Sequence, residues 1–195
     1  MGAYGVPQRT LDRETRSPVE DVELFRELIP TDSSGDVLGD TTILGTLAEM
    51  CHAFPALDIE SDLRAVFEAQ SDTFAQWFSH PLFGGRVAAT TGLLAVVLND
   101  NDGAREPYRR LIRMSSLEQG MSTDRIAGLI ALMLGDKTSA IGHFEDALSF
   151  CRENGCTVQL AWTCSDYAEM LLDRDEPGDR EKAIELQDEA LAITQ

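Results

Sequence analysis

From Asp40 onward, apolar positions recur every three or four residues, the period of helices that bury one face. The pattern predicts helices over 41–54, 59–79, 86–98, 103–113, 123–134, 138–153, 158–173 and 179–193, with a break in the second near Ser71-Asp72. Their separators hold residues that stop or start helices: Pro55, Pro81 with Gly84-Gly85, Asn99 to Asp102, Gly135-Asp136, Gly155, and Asp175 to Asp179. No segment shows the alternating β-branched run of a strand, so the expected class is all-α. Nearer the start, Ser17-Pro18-Val19-Glu20 has the form of a helix N-terminus, in which the Ser and Glu side chains satisfy each other's end amides. Val19, Val22, Phe25, Leu28 and Ile29 follow at helical spacing. Residues 1–40 are therefore expected as a flexible leader with one short helix, 18–29, ahead of a helical domain over 41–195.

The chain also resembles itself. Gly92, Ala104 and Tyr108 match Gly128, Ala140 and Phe144, each pair 36 residues apart, and GLLAVVLNDNDGAREPY aligns with GLIALMLGDKTSAIGHF. Asn99 and Gly135 share one turn position, where both residue types tolerate positive φ. A third copy has Ala168 in place of the glycine, Ala183 and Ala190 answering Ala140 and Ala147, and a longer turn through Glu176 and Pro177. Such a period means stacked helical hairpins. Small residues let two helices approach, and an aromatic from the partner helix fills the flank; Tyr108 and Phe144 are the expected fillers.

Ala127-Gly128, Gly135-Asp136, Ala140-Ile141, Phe144 and Ala147-Leu148 resemble the signature of the tetratricopeptide repeat (TPR). The clearest copies are 86–113, 123–151 and 158–193, although Gln187 replaces an aromatic in the last and Asp124 stands where an aromatic usually opens the first helix. Residues 41–79 read as a degenerate hairpin, with Leu57 or Leu63 where a small residue is expected. The resemblance implies a TPR-like right-handed superhelix of about four hairpins. The stretch from Gly128 to Thr194 is also similar to helical-repeat regions of bacterial LuxR-type and ATPase–cyclase signalling proteins, which implies a regulatory binding segment.

Charge and composition narrow the partners. Thirty-four acidic against 16 basic residues give a net charge of −18, which repels phosphate backbones and anionic lipid, so neither nucleic acid nor membrane is an expected partner. The longest uncharged run, Val87 to Asn99, covers 13 residues, short of the ~20 of a membrane helix. Residues 1–20 lack the apolar stretch of a secretory signal, so the cytoplasm is the expected address, with Cys51, Cys151, Cys156 and Cys164 as buried or idle thiols. His52, His80 and His143 fall in no metal motif, and the acidic pairs Glu145-Asp146, Asp173-Asp175 and Glu181-Glu185 read as solvated faces. No Gly-rich phosphate cradle or nucleophile elbow occurs. No catalytic residue, cofactor or metal is expected, and the chain is not read as an enzyme.

In the family, the first helix of each hairpin lines a concave groove. Carried over, the groove residues are Arg86, Leu93 and Val96 in the first clear copy, Arg125, Leu129, Leu132 and Met133 in the next, and Trp162, Ser165, Asp166 and Glu169 in the last. An apolar groove with a Trp and a Met suits a protein segment more than an acidic chaperone tail, unless the chain's own helix 18–29 covers it. At the far end, Ile184, Leu191 and Ile193 have no following helix, so this C-terminal edge either docks a second subunit or downstream segment, or stays exposed. The expected function is a protein-interaction or regulatory module. The alternative is a ligand- or peptide-sensing domain.

Overall fold

The computed structural model describes residues 37–54, 59–114, 117–118 and 121–193; the expected helix 18–29, the rest of the leader up to residue 36, and Leu57 lie outside them, while residues 37–40, expected as leader, belong to the first helix. The described residues form eight helices: α1 (Val37–Ala53), α2 (Glu60–Trp77), α3 (Gly84–Val97), α4 (Arg105–Leu111), α5 (Thr123–Met133), α6 (Lys137–Asn154), α7 (Thr157–Arg174) and α8 (Asp179–Ile193). The all-α class is therefore observed. No break occurs in α2, where the Ser71 hydroxyl donates to the Glu68 carbonyl at 2.9 Å and the helix runs on. One feature was not expected from the sequence: β1 (Leu117–Glu118) and β2 (Met121–Ser122) pair antiparallel, Leu117 opposite Ser122. Two-residue strands carry no period that a pattern could reveal.

Local chemistry sets the helix ends. Asn99 and Gly135 both adopt left-handed backbones, φ 51° and 83°. The amides of residues 98, 99 and 100 bond to the carbonyls of 94, 96 and 95, and those of 134, 135 and 136 repeat the pattern on 130, 132 and 131. Matching sequences thus make matching turns. Ser122 caps α5 by accepting from the Arg125 amide, and Asp136 caps α6 by accepting from the Ser139 amide at 3.0 Å. The longer third turn is tied by Arg174, whose Nε and Nη2 donate to the two Asp179 oxygens at 2.8 and 2.6 Å.

The first helices of successive pairs pack in order, α1 on α3, α3 on α5, and α5 on α7, while α6 packs on both α5 and α7 and α8 on α7. A methyl group at Gly128 would lie 3.0 Å from the Phe144 ring, so the backbone of α5 rests against that ring, as the sequence predicts. Tyr108 is not the equivalent filler. The atoms nearest a methyl at Gly92 belong to Ile130, Ile126 and Pro107, because the next helix, α5, crosses there. Tyr108 turns instead to His143, with its hydroxyl and the His143 Nε2 hydrogen-bonded at 3.1 Å. In the first pair the small residue is Gly45 of α1, against Thr90 and Met121; Leu63 is a buried core residue. Among the described residues no helix is long and apolar enough to cross a membrane.

Two alanine substitutions separate close approach from helix propensity. At Gly128 the ring cannot retreat, because Phe144 is fully buried and stacks on Tyr167 at 5.3 Å. Gly128→Ala is expected to destabilise by about 1–3 kcal/mol. Gly142, inside α6, has open space around it, so Gly142→Ala should stabilise by about 0.5–1 kcal/mol. Urea unfolding of both variants measures the difference, and shifts of the same sign would remove the packing argument.

Candidate functional site

Arg125 has no access to solvent, although it carries a full charge. It sits in the first turn of α5, a helix buried on every side from Thr123 to Ala131. A buried guanidinium needs carboxylates, and two neighbouring helices supply them. Nε donates to Asp166 Oδ2 of α7 at 2.6 Å, and Nη1 lies 2.8 Å from both oxygens of Glu49 on α1. The guanidinium also stands 5.3 Å above the Trp162 ring, and His52 Nε2 lies 3.0 Å from the other Asp166 oxygen. Nη2 has no acceptor among the described residues, an unmet donor whose cost the other contacts offset. Three helices distant in sequence are thereby clasped at one point.

Burial alone would lower the Arg125 pKa, but Asp166 and then Glu49 outweigh it and raise it, so the side chain stays charged. Burial likewise pushes Asp166 up, while Arg125 and His52 pull it back below its ordinary value. The cluster is two carboxylates, a guanidinium and an imidazole, each held by another member.

Beside the clasp lies a pocket of about 300 Å³ between α1 and α7. Met50 and Glu49 form one wall, Val158 and Trp162 the other, with Met121 of β2 and Gln159 among the remaining lining groups. Gln159 is fixed by accepting from the Ser122 amide at 3.0 Å. Val158 is 65% exposed at the rim. Thioether, indole and aliphatic surface with a few placed polar groups is the chemistry of holding a side chain or small apolar body.

The expected groove residues divide. Arg125, Trp162 and Asp166 meet in the clasp, and Arg86 of α3 donates to Thr42, a pocket residue. Leu93 and Leu129 are corrections: both are core residues, and Arg125 is buried rather than groove-facing. The physical reason is that α3 and α5 are enclosed by helices on several sides, so no single face of either opens to solvent. Val96, Leu132 and Met133 are half-buried against the core. At the C-terminal edge, Ile184 and Leu191 are 61% and 58% exposed, whereas Ile193 packs against the core flank. Sequence reasoning missed Glu49, His52, Met50 and Met121 as site residues; the reading of 41–79 as a hairpin and the small Gly45, one turn before Glu49, were the signals available in α1.

Elsewhere the titratable groups are structural. Cys51, Cys151 and Cys164 are buried, and burial pushes their thiols up to about 11, 11 and 12. Among the described residues no group of three or more His, Cys, Asp or Glu is placed to hold a metal ion. Glu145 is not a free member of a solvated pair: it accepts from Tyr167 at 2.8 Å and from Lys182, joining α6, α7 and α8. The chain matches no protein-family model, no curated protein and no solved structure.

Removing one member of the clasp should be severe. Arg125→Met leaves Glu49 and Asp166 facing each other without a cation, and a loss of about 3–5 kcal/mol is expected in urea unfolding. A loss under about 1 kcal/mol, the range of exposed pairs, would mean the clasp is solvated.

The acid response follows from Asp166 and from Asp179, which hydrogen bonds from Arg174 push down to about 2. Both carboxylates have folded pKa values below the unfolded ~3.9, so their contribution is complete above that pH and lost as pH falls through the folded values. Asp166→Asn should unfold more easily at pH 7 and lose less further stability between about pH 4 and pH 2 than the native chain does. Parallel pH profiles for the two proteins would exclude this assignment.

Proposed function

We propose that the chain is a non-catalytic interaction module of TPR-like hairpins stacked in a right-handed superhelix. It binds a protein segment by seating one apolar side chain in the pocket between α1 and α7. The observation that carries this reading is the pocket's composition: Met50, Met121, Val158 and Trp162 supply an apolar seat whose rim is open. Glu49, the nearest carboxylate, is already committed to Arg125. A group so held serves recognition better than proton transfer. The repeated turns at 99 and 135 and the helix order α1, α3, α5, α7 support the superhelix. The likeness of residues 128–194 to repeat regions of bacterial signalling proteins supports a regulatory setting, in signalling or transcription control.

The pocket's volume, about 300 Å³, favours one anchoring side chain over the full face of an amphipathic helix. That same volume, at the lower limit of small-molecule sites, favours a second reading, a ligand- or peptide-sensing domain.

Selection of random displayed peptides on the full chain should return sequences that share one apolar anchor. Val158→Glu, at an exposed position, should weaken their binding about tenfold or more while leaving the melting temperature unchanged. Leu129→Glu cannot serve this purpose, since a buried charge there would unfold the core. Peptides that bind Val158→Glu as well as the native chain would refute the pocket. If no peptide is selected and a small apolar compound instead raises the melting temperature of the native chain but not of the variant, sensing is the function.

A further inference from the structure

We infer that the chain associates with a second copy of itself, head to tail, by docking the outer face of α8 against the outer face of α4. The surfaces concerned are separate from the pocket, so the inference stands or falls independently of the proposed function.

The outer stripe of α8 runs through Glu181, Ile184, Asp188 and Leu191, at intervals of three or four residues and therefore on one side of the helix. Ile184 is 61% exposed and Leu191 58%. Glu181 and Asp188 are exposed, and neither pairs with a cation among the described residues. The stripe thus alternates unneutralised carboxylate with bare aliphatic surface. Its equivalent in α6, Ile141 and Leu148, lies against the body of the protein: Leu148 is fully buried and Ile141 packs on the core. The same positions that seat α6 stand open on α8.

The complementary surface is on this same chain. α4 and the turn that follows it carry four arginines and one glutamate over residues 105–113, in a protein whose net charge is −18. Arg105 and Arg109 stand four residues apart on α4, and Ile112 and Arg113 follow in the turn at its end, three and four residues beyond Arg109; Ile112 is 48% exposed. Arg110 belongs to the fold instead, donating to the Phe78 carbonyl and covering the Phe78 ring. Arg105 and Arg109 make only exposed pairs with Asp102 and Glu106, which are weak and exchange readily. Arg113 makes no ion pair among the described residues. The acidic and aliphatic stripe of α8 is therefore complementary in charge to the surface of α4 and its turn, where Arg105, Arg109 and Arg113 flank one exposed isoleucine. The match of sign fixes orientation as well as attraction.

These stripes cannot meet within one molecule, because α6 lies between them. On one flank Tyr108 of α4 reaches His143, and on the other Glu189 of α8 bonds Arg152 at 2.6 Å. The contact is therefore between copies and joins two different patches, a heterologous interface.

Charge exchange tests it. Two variants are made: Glu181→Arg with Asp188→Arg on α8, and Arg109→Glu with Arg113→Glu on α4. Sedimentation equilibrium of the full native chain should show mass rising with concentration. Each variant alone should associate about tenfold more weakly or not at all, with melting temperatures near that of the native chain. The α8 variant is the sharper case, since it lowers the overall negative charge and would associate better if net repulsion alone governed. An equimolar mixture of the two variants should recover association, since each then offers the sign the other lacks. A native chain that stays monomeric, a variant that associates as the native chain does, or a mixture that stays monomeric would each overturn the pairing of α4 with α8.

Discussion

A guanidinium sealed from water at the junction of three helices constrains much of this protein. Arg125 needs two carboxylates within hydrogen-bonding distance, and only α1 and α7 bring them. Meeting that need draws α1 across the array, until a helix from the start of the described chain faces one from near its end. The clasp occupies part of the space between α1 and α7. What remains is a pocket to the side of the clasp, between the two helices that the arginine holds together.

Close backbone approach is the second device. Gly45, Gly92 and Gly128 each lie where another element crosses α1, α3 or α5, but the crossing partners differ. Gly128 rests on an aromatic of its own hairpin, Gly92 on isoleucines of the next helix and a proline of its own hairpin, and Gly45 on a threonine and a methionine. The turns at Asn99 and Gly135 thus match, while the contacts at the three glycines differ. That latitude matters, because α3 and α5 are enclosed over most of their length, with Val96, Leu132 and Met133 half-buried at their ends, whereas α7 keeps exposed positions such as Val158. Position among the packed helices, more than residue type, decides whether a leucine is core, as Leu148 is, or surface, as Leu191 is.

Charge is also distributed by helix. The first helices of the pairs supply the clasp and the apolar pocket, and the second helices α4 and α8 carry the basic and acidic outer stripes. A chain of net charge −18 that gathers four arginines within nine residues maintains a strong local field against its own average. Between these stripes, ties such as Glu145 with Tyr167 and Lys182 join α6, α7 and α8.

Eight helices, their order and most of their ends were legible in the chain itself, because period, caps and turn residues act over a few positions. Asn99 and Gly135 announced their positive φ, and Gly128 with Phe144 announced a close crossing. Trp162, Asp166 and Arg125 could be placed on one surface by their repeat positions. Their true arrangement could not, since Arg125 stands 76 residues from Glu49 and 41 from Asp166. His52 is 114 residues from Asp166, a separation at which no spacing rule operates. Local sequence therefore settled the helices and turns, while burial of one charge, a demand felt only once helices pack, settled where Leu93 and Leu129 lie and where the pocket opens.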